Sequence, residues 1–309
     1  MIRTTTLFLA ALTLIAVIAP WLAPYEAGDA FRDFLHAPPM RPHLDGLTPV
    51  VNPLVLADRL EQRFEPDRSR TVRLPWIERD RATPVFLLGA DDFGRDVLSR
   101  LLYGARTSIG LSLVATLGAV VIGALAGAWA GYRGGWVEDA IMRTADFVLV
   151  LPVIYVVLVL RAVLPLVLAP STVFVMVTLI FIAVGWPFVA KGVRAIVAVE
   201  RGREYVQAAQ SLGASPLRIL AVHLLPACGG HLLVQATLLL PAFILAEATL
   251  SFIGLGFPDL VPSWGTMLAA AGNYNSIARF PWTLAPAIAI FAIVLLTNLL
   301  AARHTQNRH

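Results

Sequence analysis

The sequence predicts an all-α integral membrane protein with six transmembrane helices, and three observations carry that expectation. Of its 309 residues, 58% are hydrophobic and 14% charged, with a mean hydropathy of +0.74. A soluble domain carries about a quarter charged residues. So much apolar surface does not fit one soluble core, and a bilayer is the solvent that accepts it. Six windows have the roughly 20 apolar residues that a helix needs to cross the hydrocarbon: 5–23, 107–130, 145–166, 171–190, 230–254 and 282–302. The cations are also distributed unevenly. With the N-terminus inside, the inner segments hold Arg3, then Arg133 and Arg143, then Lys191, Arg194, Arg201, Arg203 and Arg218, then Arg303 and Arg308. The short outer connections have only Arg161 and Arg279 near them. This positive-inside pattern places both termini and the 191–226 connection in the cytoplasm.

The first window follows Arg3 and ends in the proline-rich "APWLAPY". It is read as an uncleaved span, because the prolines crowd any signal-peptide cleavage site. Residues 25–88 then form an external insertion, too long for its arginines to obey the loop-charge rule. It is expected to contain a helix at Leu54–Phe64 and an extended run at Thr71–Trp76. In "DDFGRD" (91–96) the oxygen-bearing residues do not alternate as a calcium loop requires. Asp91 or Asp92 is expected instead to cap a short interfacial helix with Val97, Leu98, Leu101 and Leu102 on its apolar face.

In the second span Gly123, Gly127 and Gly131 recur at four-residue spacing among alanines. Small residues one turn apart let helices approach closely, which is how helices pack where lipid offers no hydrophobic contrast. The stripe serves either subunit contact or internal packing. In the fifth span Glu247 lies between two alanines, with Thr249 and Ser251 beyond it and Pro241 before it. A carboxylate at mid-bilayer costs about 2.5–3.5 kcal/mol on insertion scales. Glu247 therefore faces protein or water, or is protonated, and two readings stand: this face lines a translocation path, or Glu247 bonds a neighbouring helix and locks packing.

The stretch "EYVQAAQSLGASPLRILAVHLLP" (204–226) differs from the lipid-adapted chain around it. Glu204–Leu212 has helix formers with an acid at its start, and Gly213 suits the left-handed residue that ends a helix. Ser215 suits an N-cap and Pro216 the first helical position. A second helix is expected from Leu217 to Leu225, stopping at Pro226. Ala208 and Ala209 keep the first helix thin on one side. The result is a stiff helix–turn–helix, either a knob that another protein grips or a plain connection.

Other function classes lack their chemistry. There is no G-x-x-x-x-G-K-[ST], H-E-x-x-H or G-x-S-x-G motif, so energy comes from another chain or from an ion gradient. The single cysteine, Cys228, excludes an internal disulfide framework and any multi-cysteine metal site. No cofactor and no metal are expected, and His223 is a helix-surface residue. The formal charge of +4 comes from arginines that flank spans rather than from a nucleic-acid module.

The 204–226 stretch resembles the cytoplasmic "EAA" loop of binding-protein-dependent ABC transporter permeases. Ala208, Ala209, Gly213, Leu225 and Pro226 match that loop at its spacing, while Gln207 replaces its glutamate and His223 its isoleucine. Gln207 removes a salt bridge that the family makes available there, and Glu204 is the nearest acid, one turn earlier. "LGADDFGRDVLSRLLYGARTSIGLSL" (88–113), "GWPFVAKGVR" and "AEATLSFIGLGFPDLVPSWGTMLA" (246–269) resemble the dipeptide, oligopeptide and nickel branch, on the subunit type that carries GRDVLSRLLYGAR. The resemblance implies a type I ABC importer permease fold: an N-terminal helix (1–24), the insertion (25–88) and a transmembrane domain (89–309) with a coupling loop at about 191–226. It implies an inner-membrane location, a second homologous permease subunit, two cytoplasmic ATPases docked on Glu204, Tyr205, Gln207, Ala208, Ala209, Gly213, Ser215, Pro216, Leu225 and Pro226, and an external substrate-binding protein. It also implies an outer-mouth position for Gly94, Arg95 and Asp96. Dipeptides, longer peptides and nickel complexes are the substrates that this scaffold shares.

Two alternatives have weaker support in the residues. An ion-driven secondary transporter needs broken helices in paired halves and ionisable groups at mid-membrane, and only Glu247 is available. An intramembrane enzyme needs a nucleophile and base in reach, but Ser251 and His231 are about 30 Å apart on one straight helix. Topology is directly testable: a reporter fused after residue 215 is expected to read cytoplasmic and one fused near residue 60 external. The reverse pair of readings would end the six-span arrangement.

Overall fold

The computed structural model describes residues 2–58, 62–76, 82–163, 169–272 and 274–306. In chain order the helices are α1 (Ile2–Leu22), α2 (Val97–Arg133), α3 (Gly135–Val150), α4 (Val153–Val163), α5 (Pro170–Glu200), α6 (Glu204–Ser211), α7 (Pro216–Ile219), α8 (Leu225–Ala227), α9 (Gly229–Phe252), α10 (Trp264–Ala271), α11 (Tyr274–Arg279) and α12 (Ala285–Gln306). The strands are β1 (His43–Asp45), β2 (Thr48–Val51), β3 (Leu54–Asp58), β4 (Arg63–Pro66) and β5 (Val72–Arg73). Among the described residues four helical stretches are long and apolar enough to cross a bilayer: Val97–Arg133, Pro170–Glu200, Gly229–Phe252 and Pro281–Leu299. The chain divides into two compact units, one centred on Leu111–Glu247 and the other on Leu12–Gly110 with Ala248–Ala292.

The first unit is held by backbone approach rather than by bulk. A Cβ on Gly123 would lie 2.6 Å from the Trp186 carbonyl oxygen, one on Gly127 2.9 Å from the Ala190 Cα, and one on Gly131 2.6 Å from the Arg194 carbonyl oxygen. All three glycines therefore face α5. Gly185 of α5 continues the contact, with Phe243 of α9 2.7 Å from the position of a Cβ, and Phe243 stacks on Phe181 at 5.0 Å. Two ion pairs join α3 to α5, Glu138 with Arg194 and Asp146 with Lys191.

The second unit contains the 25–88 insertion. Ala37, Met40, Val51, Leu54, Val85, Phe86 and Ala90 form a core, with Phe31, Phe34 and Phe64 packed against it. Strands β1, β2 and β5 form one antiparallel sheet, and β3 and β4 form a hairpin.

Four expectations are corrected. The helix expected at Leu54–Phe64 is the β3–β4 hairpin, with Leu54 opposite Pro66 and Leu56 opposite Phe64 (residues 59–61 lie outside the described residues). Leu54 and Phe64 reach the core from two strands, and that tertiary gain outweighs local helix propensity. Of the extended run Thr71–Trp76, only Val72–Arg73 is strand. The third span, expected at 145–166, is broken between α3 and α4. Pro152 disfavours a helical Leu151, which is extended at φ −73°, ψ 118°; residues 164–166 lie outside the described residues. The short interfacial helix is instead the start of α2, which runs 37 residues without a break.

The α2–α5 contact gives a direct test. Gly127→Leu is expected to lower the midpoint of thermal unfolding in detergent and the yield of assembled complex, because overpacking typically costs about 1–3 kcal/mol. An unchanged midpoint and yield would mean that this face does not bear the packing.

Candidate functional site

The helical hairpin between α5 and α9 is built by local chemistry. Helix α6 ends in a Schellman turn: Gly213 adopts φ +79°, its N–H donates to the Gln210 carbonyl at 2.9 Å, and the Ala214 N–H donates to Ala209 at 3.0 Å. The Ser215 hydroxyl then accepts from the Arg218 N–H at 3.4 Å, with Pro216 opening α7. The expected stop at Pro226 does not occur. Proline has no N–H and crowds the carbonyl four residues back. The backbone answers with a π turn over Leu220–Leu224, in which the Leu225 N–H reaches the Leu220 carbonyl five residues back. Helix α8 follows, then α9. The second arm of the hairpin therefore continues almost without interruption into a membrane span.

Tyr205 donates from its hydroxyl to Glu200 Oε2 at 2.7 Å, and this bond to a carboxylate pushes the phenol pKa upward. The Tyr205 ring lies 5.9 Å from that of His223, which is half-buried. Gln207 donates to the Gly202 carbonyl at 3.1 Å, so its amide is turned back on the chain. Glu204, Ala208, Ser215 and Pro216 are exposed, Ala209 and Leu225 are intermediate, and Pro226 is exposed. Two large apolar side chains flank the turn and meet solvent, Leu212 at 88% exposure and Leu217 at 72%.

The α9 residues do not share one face. Glu247 is 1% exposed and Ser251, one turn on, is buried, whereas Thr249 is exposed. Ser251 accepts from the Phe257 N–H at 3.2 Å, which folds the Gly254–Phe257 turn back on the helix end. Ser263 and Thr266 form a capping box for α10. It fixes Trp264, whose indole N–H donates to the Leu101 carbonyl at 3.0 Å and whose backbone N–H donates to Ser108 at 3.1 Å.

The 91–96 motif forms a compact charged turn. Asp91 Oδ1 accepts from the backbone N–H groups of Phe93 and Arg95, each at 2.9 Å, and its Oδ2 accepts from Arg95 Nε at 2.7 Å. Arg95 also lies over the Phe93 ring at 4.5 Å. Gly94 has φ +73°, and a Cβ there would come within 2.8 Å of the Phe31 carbonyl carbon, so glycine is required. The helix cap is Asp96 rather than Asp91 or Asp92. Its Oδ2 accepts from the Ser99 N–H at 2.7 Å and from the Ser99 hydroxyl at 2.6 Å. Burial pushes Asp96 up to about 6 despite those bonds. Sequence reasoning also missed His36, which stacks on Phe280 at 4.0 Å and lines a small cavity with Asp91, Asp92 and the buried Arg100. A histidine in an apolar, proline-rich segment carried no local signal of that contact. No group of three metal-ligating side chains occurs among the described residues.

Long apolar helices in backbone contact, joined on one connection by a capped helical hairpin, make the framework of a membrane-spanning protein. Residues 97–307 match the family described as "Binding-protein-dependent transport system inner membrane component", and the chain belongs to that family. It is similar to the di/tripeptide transport system permease protein DppC of Pseudomonas aeruginosa (strain UCBPP-PA14), at 34% identity over 95% of this chain and 82% of the relative. It is similar to the dipeptide transport system permease protein DppC of Haemophilus influenzae, at 30% identity over 95% of this chain and 85% of the relative. The oligopeptide transport system permease protein OppC of Bacillus subtilis (strain 168) is 38% identical over 63% of this chain and 62% of its own length. The protein is therefore a permease subunit of an ABC importer, a multi-pass protein of the inner membrane. The alignments over 95% of the chain also take in most of the 25–88 segment.

The raised pKa of Asp96 predicts a pH effect. The folded state holds this proton more tightly than the unfolded chain does, so the stability it supports is full below the ordinary carboxylate value of 3.8 and is lost as pH rises towards about 6. In Asp96→Asn the cap can remain while the titration disappears. The unfolding midpoint of the purified variant is expected to vary less between about pH 4 and pH 7 than that of the wild type. Parallel profiles would contradict this assignment.

Proposed function

We propose that this chain forms half of the translocation path of an ATP-driven importer of di- and oligopeptides, with a second homologous permease subunit supplying the other half. Both termini and the 191–226 connection lie in the cytoplasm. Two ATPase subunits dock on the connection and hydrolyse ATP, which this chain has no loop to bind. An external binding protein delivers the peptide, and the 25–88 lobe is part of the surface that receives it. Residues 89–309 form the transmembrane domain, with Gly94, Arg95 and Asp96 at its outer mouth. Peptide as substrate rests on the relatives, whose names specify di-, tri- and oligopeptides. Glu247, Thr249 and Ser251 are the α9 residues assigned to the path or its gate; the first and last are buried and Thr249 is exposed.

The observation that carries the coupling assignment is the apolar tip of the hairpin. Leu212 and Leu217 flank a turn stiffened by Gly213 and Ser215–Pro216, yet both are exposed. Two leucines held out on a rigid turn favour a partner that covers them. Tyr205, Gln207, Ala208 and Ala209 on α6 form the adjoining flank, and Leu225–Pro226 the root.

Variants of the turn test this assignment. A Cβ at Gly213 meets no atom within 4 Å, so Gly213→Val acts through backbone strain alone, about 1–2 kcal/mol for a side chain in the left-handed region. Ala209→Glu adds bulk and charge to the docking flank. Both variants are expected to reach the membrane at wild-type levels. In vesicles reconstituted with the partner subunits, dipeptide uptake and binding-protein-stimulated ATP hydrolysis should fall together. Normal uptake and stimulation in both variants would remove the hairpin from the coupling path.

A further inference from the structure

We propose that Arg201 is a positioning residue that transmits movement of the coupling hairpin to α2 and α3. The inference rests on the coupling role assigned to the hairpin and adds the route by which motion leaves it.

Arg201 is the C-cap of α5, three residues before α6 begins, and its own N–H is held by the Val197 carbonyl. Its side chain reaches across to the end of α2, where Nη1 donates to the carbonyls of Gly131 and Tyr132, each at 3.2 Å. Carbonyls in the last turn of a helix have no intrahelical partner and carry the negative end of the helix dipole. The Ala130 carbonyl is already satisfied by the Gly134 N–H at 3.0 Å. A guanidinium placed there satisfies two orphan acceptors with one planar, permanently charged group.

Arg194, two helical turns earlier on α5, forms the second arm of the bracket by pairing with Glu138 in the first turn of α3. Between the two arms, α2 turns into α3 through Gly134 and Gly135, both at positive φ, and a Cβ on Gly134 would lie 3.1 Å from Arg201 Nη1. The cytoplasmic end of α5 thus grips both helices on either side of a tight turn. On the hairpin side, Glu200 accepts from the Tyr205 hydroxyl and pairs with Arg203 at 3.7 Å, so the start of α6 is tied to the same end of α5. Glu200 pulls on the hairpin, and its neighbour Arg201 pulls on α2. A displacement of α6 cannot leave α2 behind without drawing a cation away from the two carbonyls at the α2 terminus.

The test uses the complete complex in vesicles with Arg201→Ala, Arg201→Lys and the charge-exchanged pair Glu138→Arg with Arg194→Glu. Arg201→Ala is expected to retain its ATPase partners on purification and its basal ATP hydrolysis. Peptide transported per ATP hydrolysed should drop about tenfold, the scale of a lost charge-assisted hydrogen bond. Arg201→Lys should recover part of that ratio, since an ammonium keeps the charge at the helix end. The single Glu138→Arg change should also lower the ratio, and the exchanged pair should restore it. Wild-type transport per ATP in Arg201→Ala, or a lower unfolding midpoint with no change in that ratio, overturns the proposal. Loss of ATPase copurification in the wild type would instead contradict the coupling assignment itself.

Discussion

The packing of α2 against α5 at backbone distance is the constraint on which the rest of the first unit depends. Lipid tails are as apolar as leucine, so two helices in a bilayer gain little by burying bulk. They gain dispersion and fixed geometry by bringing backbones together, which only small residues allow. Gly123, Gly127 and Gly131 supply that surface, and Trp186, Val189, Ala190, Arg194 and Val197 of α5 receive it. Once the two helices are locked, the C-terminal end of α5 has one position. The Arg194–Glu138 pair and the Arg201 contacts then hold α3 and the α2 terminus to it. The hairpin begins from that fixed end.

The hairpin is stiff for reasons internal to its own sequence. The Schellman turn at Gly213 and the Ser215 cap remove slack from its apex. The π turn before Pro226 removes slack from its root, because the helix widens by one residue instead of stopping. Both arms therefore lead into long helices through short, hydrogen-bonded joints. An element of this kind suits the transfer of displacement, whereas a flexible connection would absorb it. The same economy appears at the 91–96 turn, where Asp91 satisfies two backbone donors and a guanidinium, leaving Asp96 to cap α2.

What was legible in the sequence was whatever a few neighbouring residues decide. Glycine, serine and proline at 213, 215 and 216 specify their caps without tertiary help. The glycine stripe announces close packing, although the sequence left its partner helix open. The errors arose where distant contacts decide. Leu54–Phe64 has helix-compatible composition, but Leu54, Phe64 and Phe86 share a core that only two strands can reach. The apolar run at 145–166 hid a break, because hydropathy averages over Pro152 while the backbone of Leu151 does not. Three acids in "DDFGRD" competed for one cap, and burial beside Ser99 selected Asp96. Arg201 resembled one more inner-side cation, since no local pattern reveals that the end of α2 lies beside it.

The central claim is that α2 and the C-terminal end of α5 move as one body. Spin labels at Arg133→Cys and Val199→Cys, in the complete complex with and without a non-hydrolysable ATP analogue, report the distance between those ends by pulsed electron resonance. Cys228 is fully buried and leaves the introduced pair as the reactive thiols of this chain. The account predicts one narrow distance distribution that is the same in both states. A shift of about 5 Å, one helical turn of sliding, or a second population that appears with nucleotide, would contradict it.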